Sequence, residues 1–335
     1  MFQRILIPLD GSERARQALP VAARIARDTD GSLCLFSVLH PPVHLTWQME
    51  AEWIQPESQA AERQRRETEL ARQAASKELE GIEVTTEVVE DLPAQAILEK
   101  ANVFSADLIA LCSHGRTGIT RWALGSVAQK VARHSTIPVL IIRAGWPMAL
   151  PPHKLRPLRV MVPLDGSPLA ESALLPAARL SAALSAPLPG ELHLVRVLPF
   201  SNDFEYGQDD TFAKAKRQAK QEAQVYLQTI KQQLSEQANV QILSSIATSL
   251  DTAETLISIA ETGEGEGLLR VMDSCDIIAL TTHGRSGPAR WMMGSITERI
   301  LGATRLPLLV VRPQHTDTLR ASQESDAQTS QAGLY

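Results

Sequence analysis

Cysteine is nearly missing from this sequence: Cys34, Cys112 and Cys275 are the complete set in 335 residues, and no two stand in C-x-x-C spacing. A disulfide framework is excluded and no zinc signature exists, a usage that fits a reducing cytosol. Long apolar runs are missing too, since nowhere do eighteen apolar residues follow one another, and the start MFQRILIPLDGS has no basic region leading into an apolar stretch. The expectation is a soluble cytoplasmic protein, neither secreted nor membrane-spanning. Charge of one sign is also lacking. The formal net charge is -5, with basic residues scattered among acidic ones, so nothing provides an electrostatic footprint for nucleic acid or an anionic membrane surface.

Several catalytic signatures are absent as well. Neither G-x-x-x-x-G-K-[ST] nor a G-x-G-x-x-G after the first strand occurs, which removes GTPase-like and dehydrogenase readings. Without H-E-x-x-H, G-x-S-x-G or a Cys/His ligand cluster, hydrolase and metalloenzyme readings lack their minimum equipment. No dedicated catalytic machine is indicated.

What the sequence does contain is a repeat. RILIPLDGSERARQAL at 4–19 is answered by RVMVPLDGSPLAESAL at 159–174, an offset of 155. ALCSHGRTGITRWALGSVAQKV at 110–131 is answered by ALTTHGRSGPARWMMGSITERI at 279–300, an offset of 169. The length exceeds one usual domain, and 44% hydrophobic with 21% charged residues suffices for packed cores. Two copies of one domain follow, at 1–143 and 157–313, joined by a proline-rich linker at 144–156 and ending in a polar, disordered tail at 314–335.

Short apolar runs alternate with helix-period segments, the pattern of parallel strands joined by right-handed helical crossovers. In the first copy RILIPLD, SLCLFSVLH, EVTTEVVE, DLIALCSH and PVLIIR read as strands, with helices near 13–29, 57–80, 93–104 and 125–134. The second copy offers RVMVPLD, ELHLVRVLP, VQILSSIA, DIIALTTH and PLLVVR, with a long polar helix near 208–237. The fold class is α/β, two tandem Rossmann-like domains, each an open five-stranded parallel sheet with helices on both faces. The charged stretch ERQRRETELARQ and the long second helix read as solvated faces with i,i+4 pairing.

Ligands in such sheets bind outside the carboxyl ends of the strands, where strand order reverses. Asp10 and Asp165, in PLDGS, are placed there to accept from a ribose hydroxyl or base amino group, or else to cap the helices beginning near Ser12 and Ser167. Gly125-Ser126 and Gly294-Ser295 open helices whose free amides and dipole suit an anion. Gly115, Gly118, Gly284 and Gly287 are candidates to let the main chain approach that anion without a Cβ clash; the alternative is that Gly115 and Gly118 only supply positive φ and Ser126 only caps its helix. Arg116 and Arg285 are candidates to screen phosphate charge. His114 and His283 read as turn residues rather than bases, and Trp122 and Trp291 as packing residues.

PLDGS, the segment DLIALCSHGRTGITRWALGSVAQKV and the closing PVLIIR resemble the universal stress protein family, twice over. The nucleotide-binding signature of that family's ATP-binding branch, G-x2-G-x9-G-[ST], appears as C-S-H-G-x9-G-S and T-T-H-G-x9-G-S, with Cys112 and Thr281 in place of the leading glycine. The resemblance implies that Pro8, Asp10 and the main chain of Val38 hold adenosine in the first copy, and Pro163, Asp165 and Val197 in the second. It implies that Gly115, Gly125, Ser126 and Val127, or Gly284, Gly294, Ser295 and Ile296, line the phosphates of ATP, ADP or AMP, with magnesium bridging them. A stress-response function through nucleotide-dependent partner interaction is implied. An interaction scaffold whose pockets have lost nucleotide and a weak ATPase stay open beside it. Since the family pairs through its last strand, IPVLIIR and LPLLVVR are expected side by side in an intramolecular pseudo-dimer. Further homo-oligomerisation and the protein partner are unreadable.

Overall fold

The computed structural model describes residues 1–39, 56–113, 124–143, 145–146, 156–200, 210–263, 273–282 and 293–313. Most of the linker and all of the tail lie outside them.

The first lobe runs β1 (Arg4–Pro8), α1 (Glu13–Arg16), α2 (Ala18–Thr29), β2 (Ser32–Leu39), α3 (Pro56–Ala74), β3 (Glu83–Glu90), α4 (Pro93–Val103), β4 (Leu108–Cys112), α5 (Ser126–His134) and β5 (Val139–Ile142). The second repeats it as β6 (Arg159–Pro163), α6 (Pro168–Glu171), α7 (Leu174–Ser185), β7 (Gly190–Leu198), α8 (Asp210–Gln237), β8 (Val240–Thr248), α9 (Thr252–Thr262), β9 (Ile277–Thr281), α10 (Ser295–Ala303) and β10 (Leu308–Val311). A 3-10 turn at Lys77–Leu79 ends the segment expected to be helical through residue 80.

The helix expected over 13–29 is broken at Gln17. Proline accounts for the break: Pro20 has no N–H to give the carbonyl of Arg16, and Pro176 denies Ser172 in the same way. Both short leading helices are capped by serine, with Ser12 Oγ accepting from Ala15 N at 3.1 Å and Ser167 Oγ from Ala170 N at 3.2 Å.

All strands join one ten-stranded sheet in the order β3-β2-β1-β4-β5-β10-β9-β6-β7-β8. Within each lobe the pairing is parallel, and the order reverses between the first and fourth strands. Two apolar layers sandwich the sheet. One packs Ile5, Leu33, Leu70 and Leu227 beneath α1–α3 and α6–α8; the other packs Leu6, Phe36, Ile97, Val131 and Ile300 beneath α4, α5, α9 and α10.

At the seam β5 and β10 pair antiparallel, with Leu140 opposite Leu309. The two closing strands therefore stand adjacent. Every residue of both is buried, as befits strands covered on two faces. Each is followed by an arginine that reaches a helix of the other lobe. Arg143 donates to the Leu301 carbonyl at 2.5 Å, and Arg312 to that of His134 at 3.5 Å. These are carbonyls of final helical turns, which cations satisfy well. Burial pushes the Arg143 guanidinium down to about 10. On the surface of the seam Arg133 of α5 bonds Glu298 of α10.

Candidate functional site

In each lobe the reversal of strand order opens a crevice at the carboxyl ends of the first and fourth strands. Main-chain bonds fix its floor: Leu9 N donates to the Phe36 carbonyl at 2.7 Å, and Leu164 N to that of Val195 at 2.8 Å. The following aspartates belong to local turns. Asp10 Oδ1 accepts from Ser12 N at 2.9 Å, while Asp165 Oδ1 accepts from both Ser167 N at 2.9 Å and Ser167 Oγ at 2.6 Å. Capping of α1 and α6 thus falls to the serines, and each carboxylate braces its serine instead of capping the helix itself. The intervening Gly11 and Gly166 have φ of +82° and +84°, a conformation that suits glycine.

The crevice of the first lobe is a cavity of about 460 Å³, lined among others by Pro8, Asp10, Val38, Gly125, Ser126 and Val127. That of the second, about 290 Å³, is lined among others by Pro163, Asp165, Val197, Gly294, Ser295 and Ile296. All the sequence candidates within the described residues thus come together, six to a lobe. Gly115, Arg116, Gly118, Gly284, Arg285 and Gly287 lie outside the described residues, as do His114, His283, Trp122 and Trp291.

Opposite the aspartates stand the helix starts. Gly125 is extended at φ −61°, ψ 147° and Gly294 at φ −62°, ψ 144°, and neither α5 nor α10 has a side-chain cap. Ser126 and Ser295, the residues of capping type, are the first helical residues, one position too late to cap. The glycine amides are spent on Ser113 and Thr282 carbonyls at 2.7 and 2.8 Å. The next three amides, those of Ser126, Val127 and Ala128 or of Ser295, Ile296 and Thr297, have no acceptor within their own helix. An anion would meet them together with the positive end of the helix dipole.

Other cavity residues went unnoticed in the sequence. Phe36, Pro93 and Ile97 contribute to the first cavity, where Val195, Thr252 and Leu256 stand in the second. Arg66 also lines the first cavity and is only 8% exposed, although its helix reads as a solvated face. Its guanidinium donates to Glu62 at 3.1 Å and sits against Gly11, where a Cβ would come within 2.7 Å of Nη1. In the second lobe the guanidinium beside Gly166 is Arg196, from β7 rather than the long helix, resting on the Tyr226 ring at 4.9 Å. The position of the charge is repeated while its source is not, so no offset between the copies could reveal it.

The universal stress protein family model matches residues 1–143 and again 158–312. This chain belongs to the universal stress protein family. A universal stress protein of Methanocaldococcus jannaschii is 31% identical over 149 residues, which is 43% of this chain and 83% of that protein. The Bacillus subtilis universal stress protein YxiE is 29% identical over 150 residues, 43% of this chain and all of that one. Each is thus matched by about one lobe. The crystal structure of a universal stress protein from Archaeoglobus fulgidus superposes with a TM-score of 0.59 at 17% identity, covering 93% of this chain and 99% of that one, a likeness of fold. Among the described residues no helix is long and apolar enough to cross a membrane, and no group of three or more potential metal ligands occurs.

Proposed function

We propose that this universal stress protein binds ATP or a related adenine nucleotide at its strand-end crevices and acts in the stress response by presenting a nucleotide-dependent surface to a protein partner. One observation carries the reading. An uncapped helix start at Gly125-Ser126 opens onto a cavity whose opposite wall holds the Asp10 carboxylate and the end of β2 at Val38. The two ends match the two ends of a nucleotide, because bare amides suit phosphate and a carboxylate beside a main-chain edge suits ribose and base.

Binding would exploit apolar walls for the adenine, Asp10 or Asp165 for hydroxyl or amino donors, and the first-turn amides for phosphate. Magnesium accompanying ATP would be carried by the phosphates. Occupancy would then favour whichever arrangement of the crevice rim the nucleotide contacts best, and that arrangement is what a partner would read.

Titration calorimetry of the purified chain with ATP, ADP and AMP tests this. Heat of binding is expected, and it should vanish in the Asp10→Ala, Asp165→Ala double variant. Silence at millimolar nucleotide overturns the proposal and leaves the interaction scaffold. ATP turnover that survives the double variant would place any hydrolysis outside these crevices.

A further inference from the structure

The two crevices differ at one pair of positions in a way that bears on what each can hold. Lys130 in α5 and Arg299 in α10 are equivalent, each four residues after the serine that opens its helix. Side chains on a helix lean toward its N-terminus, so a cation at this position has the serine four residues back within reach.

In the second lobe that cation is engaged. Arg299 bonds Asp251 through both guanidinium nitrogens, at 2.8 and 2.7 Å. Asp251 is the N-cap of α9 and also accepts from Glu254 N at 3.1 Å. Its neighbour Thr252 lines the second cavity, as do Ser295, Ile296 and Ile300 beside Arg299. The ion pair therefore ties together the two helices that bound the cavity. In the first lobe the position of Asp251 is Leu92, α4 has no side-chain cap, and the adjacent Asp91 accepts from Leu92 N at 2.6 Å, so among the described residues no ion pair holds the exposed Lys130 to α4.

The interior differs as well. Thr297, which donates to the Thr281 carbonyl at 2.9 Å, lines the second cavity where the first has Ala128, and Val195 stands where the first has Phe36.

We propose that the chain binds polyphosphate nucleotide more tightly in its first lobe than in its second, with Lys130 meeting the phosphates in the first and Asp251 holding Arg299 away from them in the second. This inference rests on the nucleotide-binding reading above. It makes Asp251 and Lys130 the residues that decide which lobe is loaded first.

Calorimetry of the full chain with ATP should resolve two sites, the tighter in the first lobe by about tenfold. The Asp251→Asn variant keeps a side-chain oxygen for the α9 cap while removing the charge that holds Arg299, and it should bring the two affinities together. Lys130→Met should weaken ATP binding about tenfold, the size of one lost charge contact, with adenosine binding unchanged. Two equal sites in the unaltered chain would overturn the inference and leave the nucleotide reading standing. Affinities still about tenfold apart in Asp251→Asn, with circular dichroism unaltered, would overturn the role of the ion pair. No heat with any nucleotide would remove both readings together.

Discussion

The two lobes share their strand order and differ in what fills equivalent places. Cys34 in β2 and His193 in β7 stand at the same register, opposite Leu6 and Met161. The first is a small, soft thiol; the second is an imidazole, 1% exposed and hydrogen-bonded to Ser245 Oγ at 2.8 Å, with the Cys275 sulfur 3.8 Å from its other nitrogen. Leu92 and Lys130 correspond to Asp251 and Arg299 in the same fashion. Duplication kept the scaffold, which backbone hydrogen bonding and apolar layers specify, and freed individual side chains to take separate tasks.

The largest test of the comparison is the seam the lobes share. Leu140 and Leu309 face one another and are both fully buried. Leu140→Ala and Leu309→Ala are each expected to cost about 4 kcal/mol, read by urea denaturation, with a single transition in both variants. Two resolved transitions would show that the lobes melt separately and that the shared sheet does not couple them.

Next comes acid. Burial, with Arg159 adding repulsion, pushes His193 down to about 4, whereas in the unfolded chain it titrates near 6.5. The unfolded state therefore takes up a proton that the folded state refuses between those values. Stability should fall as pH drops from about 6.5 to about 4, by up to about 3 kcal/mol, and show no further loss from this residue below that. His193→Cys, which installs the residue of the first lobe, should flatten this window. Burial raises the Cys34 thiol, so the first lobe has no matching acid sensitivity here. Thermal melts across pH decide it.

A smaller contrast lies in the glycines that lead into β2 and β7. A Cβ on Gly190 would come within 2.5 Å of Ser181 Oγ and 2.6 Å of the Ala182 backbone nitrogen, against 2.9 Å from the Gln3 carbonyl oxygen for Gly31. Gly190→Ala should cost about 2 kcal/mol and Gly31→Ala about 1 kcal/mol. Equal costs would mean that the second lobe relaxes more freely than its packing indicates. The smallest effect is expected from Asp251→Asn, whose ion pair lies in solvent. The melting temperature should not move measurably, so any change in nucleotide affinity would reflect binding rather than folding.

Alternation of apolar runs with helical periods was enough to place every strand and most helices: burial on both faces makes the inner strands continuous apolar runs, while the edge strands β3 and β8, EVTTEVVE and VQILSSIAT, are partly exposed and carry polar residues. The break at Gln17 was also available from Pro20, once the missing amide is counted. At the crevice, the repeated nine-residue spacing located Gly125 and Ser126, since a loop of fixed length delivers the chain to the same helix start in both copies. The true partner of Asp10 was not legible, because PLDGS is compatible both with a carboxylate capping α1 and with one bracing Ser12. Arg66 was hidden by its setting among charged residues, where only the tertiary placement of Gly11 and Ser37 makes it a buried side chain. Asp251 and Arg299 are 48 residues apart, and their meeting depends on α9 and α10 packing side by side.

The salt bridge between Arg133 and Glu298 has a consequence for which lobes can meet. Their counterparts across the repeat are Gly302 and Gln129, so this bridge has no mirror image. Two first lobes brought together would set Arg133 against glutamine, and two second lobes would set Glu298 against glycine. A two-fold axis relating identical lobes repeats every contact, whereas across this seam of unlike lobes the bridge occurs once. It favours pairing of unlike lobes by the small amount an exposed ion pair supplies, and the covalent linker makes the other half of the same chain the nearer candidate.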